Sequence, residues 1–215
     1  MLALDHIVIA GNNAEKASAQ YGNKFTIKAI KGGEHIDWGT YNYLSYFSND
    51  SYLEWLGITD LTKAKNAENP LIQHLVYTME NDLLGPFQFA LRTNQMDDYI
   101  AHFKAEGIPY KGPFSGERAK PDGTVLKWRM LFPEYDHTKE LLPFLIEWEN
   151  PRDAYPDTSL LNIQTITKIN YSGMDRDKFA HIYQLKPKKL NKNLLTLQNC
   201  RIQFTDHKKL HFDLV

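Results

Sequence analysis

Between residues 2 and 149 the chain passes twice from strand-like alternation to a helical stripe and back to strands. Residues 2–10, LALDHIVIA, alternate so that Leu4, His6, Val8 and Ala10 fall on one strand face and Asp5, Ile7 and Ile9 on the other. Gly11-Asn12-Asn13 marks a turn or helix cap, and a helix is predicted over about 14–21, closed by Gly22. A strand over 25–30 follows. Then comes GGEHIDWGTYNYLSYFSNDSYLEWLG: a Gly-rich approach, a strand over 40–47, a turn at Ser48-Asn49-Asp50-Ser51 and a strand over 52–56. The order is β-α-β-β-β.

Residues 59–81 read as a helical connector, with Pro70 in the first turn of a segment carrying Leu71, Leu75 and Met79. After Gly85-Pro86 the order repeats: a strand over 87–92, and a helix over 95–106 with Met96, Tyr99, Ile100 and Phe103 on one stripe. Gly107 closes that helix. A short strand over 108–110, a long loop GPFSGERAKPDGT, and strands over 124–132 and 144–149 complete the unit. Gly39-Thr40 recurs as Gly123-Thr124, and Leu53-Glu54-Trp55 as Ile146-Glu147-Trp148, which argues for an internal duplication. A polar, proline-bearing linker over 151–160 leads into a third run, 161–215. There a strand over 162–171, a helix over 175–185, a basic loop with Lys186, Lys188, Lys189 and Lys192, and about three short strands are predicted. The fold class is α+β: paired βαβββ units over 1–150, then a C-terminal βαβββ-like unit. Unpaired sheets need cover, so the third unit is expected to pack on the first two or on another subunit, giving a homodimer.

Composition narrows the function classes. The 215 residues are 42% hydrophobic and 13% aromatic, enough for a real core. A formal net charge of -1 gives no sign of a nucleic-acid or acidic-membrane partner. The single cysteine, Cys200, excludes an internal disulfide and suits a reducing compartment. The first residues offer no signal-peptide pattern, and no apolar run approaches the roughly 20 residues of a membrane helix. A cytoplasmic location is expected.

One residue breaks the apolar pattern of the 52–56 strand. Glu54 is a carboxylate among Tyr, Leu and Trp, so it must be solvated, paired or bound to a cation. A His on the first strand and a Glu on the last, within paired βαβββ units, resemble the vicinal oxygen chelate superfamily. That group contains glyoxalase I, extradiol dioxygenases and bleomycin-resistance proteins. LDHIVIA, GGEHIDWGTYN, YLEWLG, ERAKPDGTVLKW and PFLIEW look like its glyoxalase-like branch. The resemblance implies an eight-stranded cup, with first and last strands offering ligands to a divalent metal (Zn, Ni, Mn or Fe).

Carried over by position, His6, Glu54 and Glu147 match ligand positions, and Gln88, a weak ligand for zinc, falls nearest the fourth. Three such ligands would leave room for substrate oxygens. The metal would act as a Lewis acid while an uncoordinated carboxylate, Glu54 or Glu147, moves a proton. His35, Trp38, Asn42, Arg92, Arg118, Trp128 and Arg129 are the candidates for holding the ligand, since Arg forks match carboxylates and Trp stacks. Each residue also has a purely structural use. His6 shares its face with Leu4 and Val8, and Glu147 alternates as on a solvent-facing strand. The resemblance implies a metal-dependent lyase or isomerase acting on a small oxygen-rich substrate, or a non-enzymatic small-molecule binding protein of the same fold. A two-His-one-carboxylate dioxygenase fits less well, because the second unit lacks the second His.

Overall fold

The computed structural model describes residues 1–119, 123–150, 158–187, 193–206 and 209–215. The first unit comprises β1 (Ala3–Ala10), α1 (Ala14–Phe25), β2 (Ile30–His35), β3 (Thr40–Phe47) and β4 (Ser51–Ile58). Two connector helices follow, α2 (Leu61–Asn66) and α3 (Pro70–Glu80). The second unit comprises β5 (Gly85–Arg92), α4 (Met96–Ala105), β6 (Tyr110–Ala119), β7 (Val125–Pro133) and β8 (Phe144–Trp148). Eight strands form one curled sheet in the order β2-β3-β4-β1-β5-β8-β7-β6, so the units join through the antiparallel pair β1–β5. Edge strands β2 and β6 approach each other where Arg118 crosses Gly33.

The third run begins with β9 (Leu161–Asn162), which pairs with β3 of the large sheet. β10 (Ile166–Tyr171), α5 (Arg176–Ile182), β11 (Leu194–Thr196), β12 (Arg201–Phe204) and β13 (His211–Leu214) then form a small sheet in the order β11-β12-β10-β13. Lys188, Lys189 and Lys192 of the basic loop, and 151–157 of the linker, lie outside the described residues.

Two apolar layers sandwich the curled sheet. Leu4, Ile7, Ile9, Trp55, Phe89 and Leu91 face outward, where α1, α4 and the third unit (Tyr171, Phe179, Ile202) cover them in one continuous core. The third unit therefore packs on this chain's own outer layer. Hydrogen bonds seal the contact: Asn199 Nδ2 donates to Leu4 O at 2.9 Å, and Asn199 Oδ1 accepts from Leu4 N at 2.8 Å. Inside the cup, Val8, Ala10, Leu56, Phe87 and Ala90 meet Leu71, Ile72, Leu75 and Val76 of α3. Pro70 opens this helix, as the sequence predicts, and Asn69 caps it. Each large aliphatic chain so buried contributes about 1.5–3 kcal/mol. The connector thus fills one half of the cup and leaves the other half hollow.

Four local expectations are corrected. The first helix runs on to Phe25, with left-handed Thr26 (φ 55°) as its cap. Gly22 lies inside it, where a Cβ would come 3.0 Å from Ile27 O, so glycine serves the returning chain there and does not end the helix. The stretch 25–30 is helix end and loop, and the strand starts at Ile30. The segment read as a long loop, GPFSGERA, is mostly β6; it is an edge strand, and such strands tolerate the Gly and Pro that hid it. Finally, a bulge between Leu4 and His6 breaks the alternation of β1. It turns Leu4 outward to join Ile7 and Ile9, while the side chain of Asp5 meets that of His6.

Candidate functional site

The hollow half of the cup encloses a cavity of about 50 Å³. The inward residues of β3 and β4 (Asn42, Leu44, Tyr52, Glu54, Leu56) form one wall, and those of β8 (Phe144, Ile146, Trp148) form the opposite one. His6 lies between them on β1. Trp38 and His35 from the β2–β3 turn, with Arg118 and Trp128 from β6 and β7, stand around it. Seven of the residues expected from sequence are therefore brought together: His6, His35, Trp38, Asn42, Glu54, Arg118 and Trp128.

A chain of polar contacts crosses the site. His6 Nδ1 sits 2.7 Å from Asp5 Oδ1, and its Nε2 sits 3.3 Å from Glu54 Oε2. Asn42 Nδ2 donates to Glu54 Oε1 at 2.6 Å. All four residues are buried. Asp5 is also met by Arg92 Nη1 at 3.2 Å and by Trp148 Nε1 at 3.0 Å. Burial opposes the charge of Asp5, but the hydrogen bond and charge of His6, then Arg92 and Trp148, outweigh it and hold the carboxyl below its usual range. An ionised Asp5 fixes the proton on His6 Nδ1, which turns Nε2 toward Glu54. His6 Nε2 and Glu54 Oε2 are close enough for a proton to pass between them.

Tyr52 stacks on His6, with ring centroids 4.5 Å apart. Burial, then the charges of Asp5, Glu54 and Tyr46, hold its hydroxyl well above the usual phenol range, so it remains an O–H donor. His35 Nδ1 pairs with Thr40 Oγ1 at 2.9 Å. Burial lowers its imidazole below the usual range; Glu54 pulls the other way and Arg118 adds to the lowering.

The other four candidates lie elsewhere. Glu147 alternates with the inward Ile146 and Trp148, so its carboxylate faces the opposite side. There it pairs with Arg129 (2.6 Å and 2.7 Å) and accepts from Met96 N, at the start of α4, at 3.1 Å. Arg129 is engaged in that pair and with Asp97. Arg92 braces Asp5 from outside the cavity lining. Gln88 is saturated: its amide donates to Tyr135 Oη and Leu142 O, and its Oε1 accepts from Phe89 N.

Register explains the misplacement of Glu147. Val8 pairs with Glu54 across the parallel strands of the first unit, and Ala90 pairs with Phe144 in the corresponding place of the second. The structural counterpart of Glu54 is thus Phe144, and the repeated Glu-Trp pairs face opposite ways: Trp55 is in the outer layer and Trp148 in the inner one. Two donors, His6 and Glu54, then remain to face a common point. Among the described residues no group of three or more His, Cys, Asp or Glu side chains is placed to hold a metal. The expected set of His6, Glu54, Glu147 and Gln88 does not fit a resident metal centre.

The sequence reading missed Asp5, Tyr46, Tyr52, Phe144 and Trp148. Parity along β8 points to Phe144 and Trp148 once Ile146 is placed inward. Asp5 is hidden by the bulge.

The glyoxalase-like domain family model matches residues 4–186. This chain belongs to that family. The fold is similar to a hypothetical protein from Staphylococcus aureus at a TM-score of 0.77 and 21% identity, over 96% of this chain and 87% of that one. It is similar to methylmalonyl-CoA epimerase from Mycobacterium tuberculosis at 0.52 and 16% identity, over 71% of this chain and 91% of that one. A Streptomyces coelicolor methylmalonyl-CoA epimerase variant, in complex with 2-nitronate-propionyl-CoA, matches at 0.50 and 18%, over 69% of this chain and 98% of that one. No curated protein matches the sequence. The match to the glyoxalase-like family, with these neighbours, places the chain in the vicinal oxygen chelate superfamily. It is a fold that acts on or binds small molecules. Among the described residues no helix is long and apolar enough to cross a membrane.

Proposed function

We propose that the glyoxalase-like cup is a small-molecule enzyme site in which Glu54 moves a proton at a carbon next to a carbonyl, as an isomerase or lyase requires. The observation that carries the reading is the buried chain Asp5–His6–Glu54 at the cavity. Glu54, held by Asn42, takes the C–H proton on its carboxylate. The C–H pair forms a carbon–carbon double bond, and the carbonyl pair moves onto oxygen as an enolate. Tyr52 lines the same cavity, and its hydroxyl is the donor we assign to that oxygen. Return of the proton, at the same or another carbon, completes an isomerisation; loss of a neighbouring group completes an elimination. His6 Nε2, free to accept because Asp5 fixes the proton on Nδ1, takes that proton from Glu54 Oε2 and returns it. General acid–base catalysis of this kind contributes about 10²–10⁴-fold. The metal-assisted version of the family's chemistry expects three protein ligands, and of the four expected here only His6 and Glu54 line the cavity. The solved neighbours named as epimerases share only the fold with this chain.

Solvent deuterium wash-in is the test, followed by proton NMR on a panel of small carbonyl compounds (acetone, hydroxyacetone, pyruvate and pyruvamide). We expect wild-type protein to accelerate exchange on at least one of them, with a fall of 100-fold or more in Glu54→Gln. Ligand binding with no wash-in across the panel would turn the reading to the non-enzymatic binding protein. Several residues favour that second reading: Trp38, Trp128 and Trp148 give the cavity three aromatic walls, as a sequestering protein needs.

A further inference from the structure

We infer that Arg118 recognises the carboxylate of a compact anionic ligand, so that the cavity is a site for small carboxylates bearing a carbonyl. The inference rests on the reading of the cup as a small-molecule site, and deepens it by naming the ligand class.

The first observation is charge. Arg92 and Arg129 are each tied to carboxylates, Asp5 in one case and Glu147 with Asp97 in the other. Arg118 lines the cavity half-buried, and among the described residues no carboxylate pairs with it. A guanidinium withdrawn from water without an anion is costly, and the cost is relieved when a ligand supplies the anion.

The second observation is room made for this side chain. On β2, a Cβ at Gly33 would stand 2.7 Å from Arg118 Cδ, and one at Gly32 would stand 2.9 Å from its Nη1 and 2.2 Å from Asn42 Oδ1. The two glycines let the arginine lie flat across the seam between β6 and β2, beside the Asn42 that holds Glu54. A side chain at either position would force Arg118, and at Gly32 also Asn42, to shift.

The third is what surrounds it. Glu54 is the other charged group of the lining and would repel an anion placed on it. Asp5 is compensated by His6 and Arg92. His35, held toward the neutral form by burial and by Arg118 itself, adds no opposing charge. The carboxylate is therefore directed to the Arg118 and His35 end, and the carbon skeleton toward Glu54 and Tyr52. A cavity of about 50 Å³ admits only a short chain.

The experiment titrates wild-type protein, Arg118→Gln and Arg118→Lys with pyruvate and with its neutral isostere pyruvamide at fixed ionic strength. Trp38, Trp128 and Trp148 serve as fluorescence reporters, and thermal melts confirm folding. We expect wild type to favour pyruvate at least 10-fold, Arg118→Gln to lose that preference while binding pyruvamide within twofold of wild type, and Arg118→Lys to fall between. Equal binding of the two probes by wild type would overturn the inference, whether or not the variants fold. So would a preference for pyruvate that survives in folded Arg118→Gln. Selective pyruvate binding with no deuterium wash-in would remove the proton-transfer reading and leave the carboxylate site standing.

Discussion

His6 Nε2 stands 3.3 Å from Glu54 Oε2 because β1 and β4 run parallel and adjacent, with His6 paired to Tyr52 and Val8 to Glu54. The two side chains meet diagonally across that ladder and on the same inward face. In the second unit Phe144 holds the place of Glu54, and its ring packs edge-on to His6 at 5.5 Å.

Glu147 is expected to matter for stability and not for the site. In Glu147→Gln the ion pair to half-exposed Arg129 and the charge-assisted bond to the start of α4 are weakened, a loss of about 1–2 kcal/mol in urea unfolding. Binding of cavity ligands should stay within twofold of wild type. A tenfold loss of binding in the folded variant would place Glu147 in the site after all.

Asp5 is the opposite case. Asp5→Asn removes the buried carboxylate that meets Arg92, Trp148 and His6 together, and removal of one partner from such a set costs about 3–5 kcal/mol. Chemical unfolding should show that loss. A change below 1 kcal/mol would mean the Asp5 network is not held as described.

A second cluster gives the chain a pH dependence separate from the cavity. His74 is buried beside Tyr135 and His137, and burial, helped by the nearby His137, pushes it down to about 4. In the unfolded chain an imidazole titrates near 6.5. The unfolded state therefore binds the proton first as pH falls. Stability due to neutral His74 is complete above about 6.5 and drains away down to about pH 4, to a total of roughly 3 kcal/mol. Denaturant midpoints across this window should flatten in His74→Gln. An equal slope in the variant would assign the dependence to another group.

Much of this architecture is legible in the sequence. The two βαβββ units, the Pro70 helix and the Glu54 strand each carry a local signature: alternation, a capping residue, a carboxylate in an apolar run. Three features are not legible, and each depends on how a strand pairs or which way it faces. The β1 bulge that sets Asp5 against His6 leaves no mark in LALDHIVIA. The edge strand β6 is disguised by Gly112, Pro113 and Gly116, the last needed because Trp128 packs where its Cβ would be, 2.5 Å away. The Glu-Trp repeat is real as sequence, but Trp55 and Trp148 face opposite layers, so matching letters transfer a role that register does not.

The central claim is that Glu54, set by His6 and Asn42, moves a proton without a metal centre. Deuterium wash-in on a reactive panel compound tests it most directly, measured before and after treatment with EDTA and set against the metal content of each sample. The expected result is a rate unchanged by EDTA, unrelated to metal content, and at least 100-fold lower in Glu54→Gln. A rate that vanishes with the chelator and returns in proportion to added Zn, Ni, Mn or Fe would contradict it.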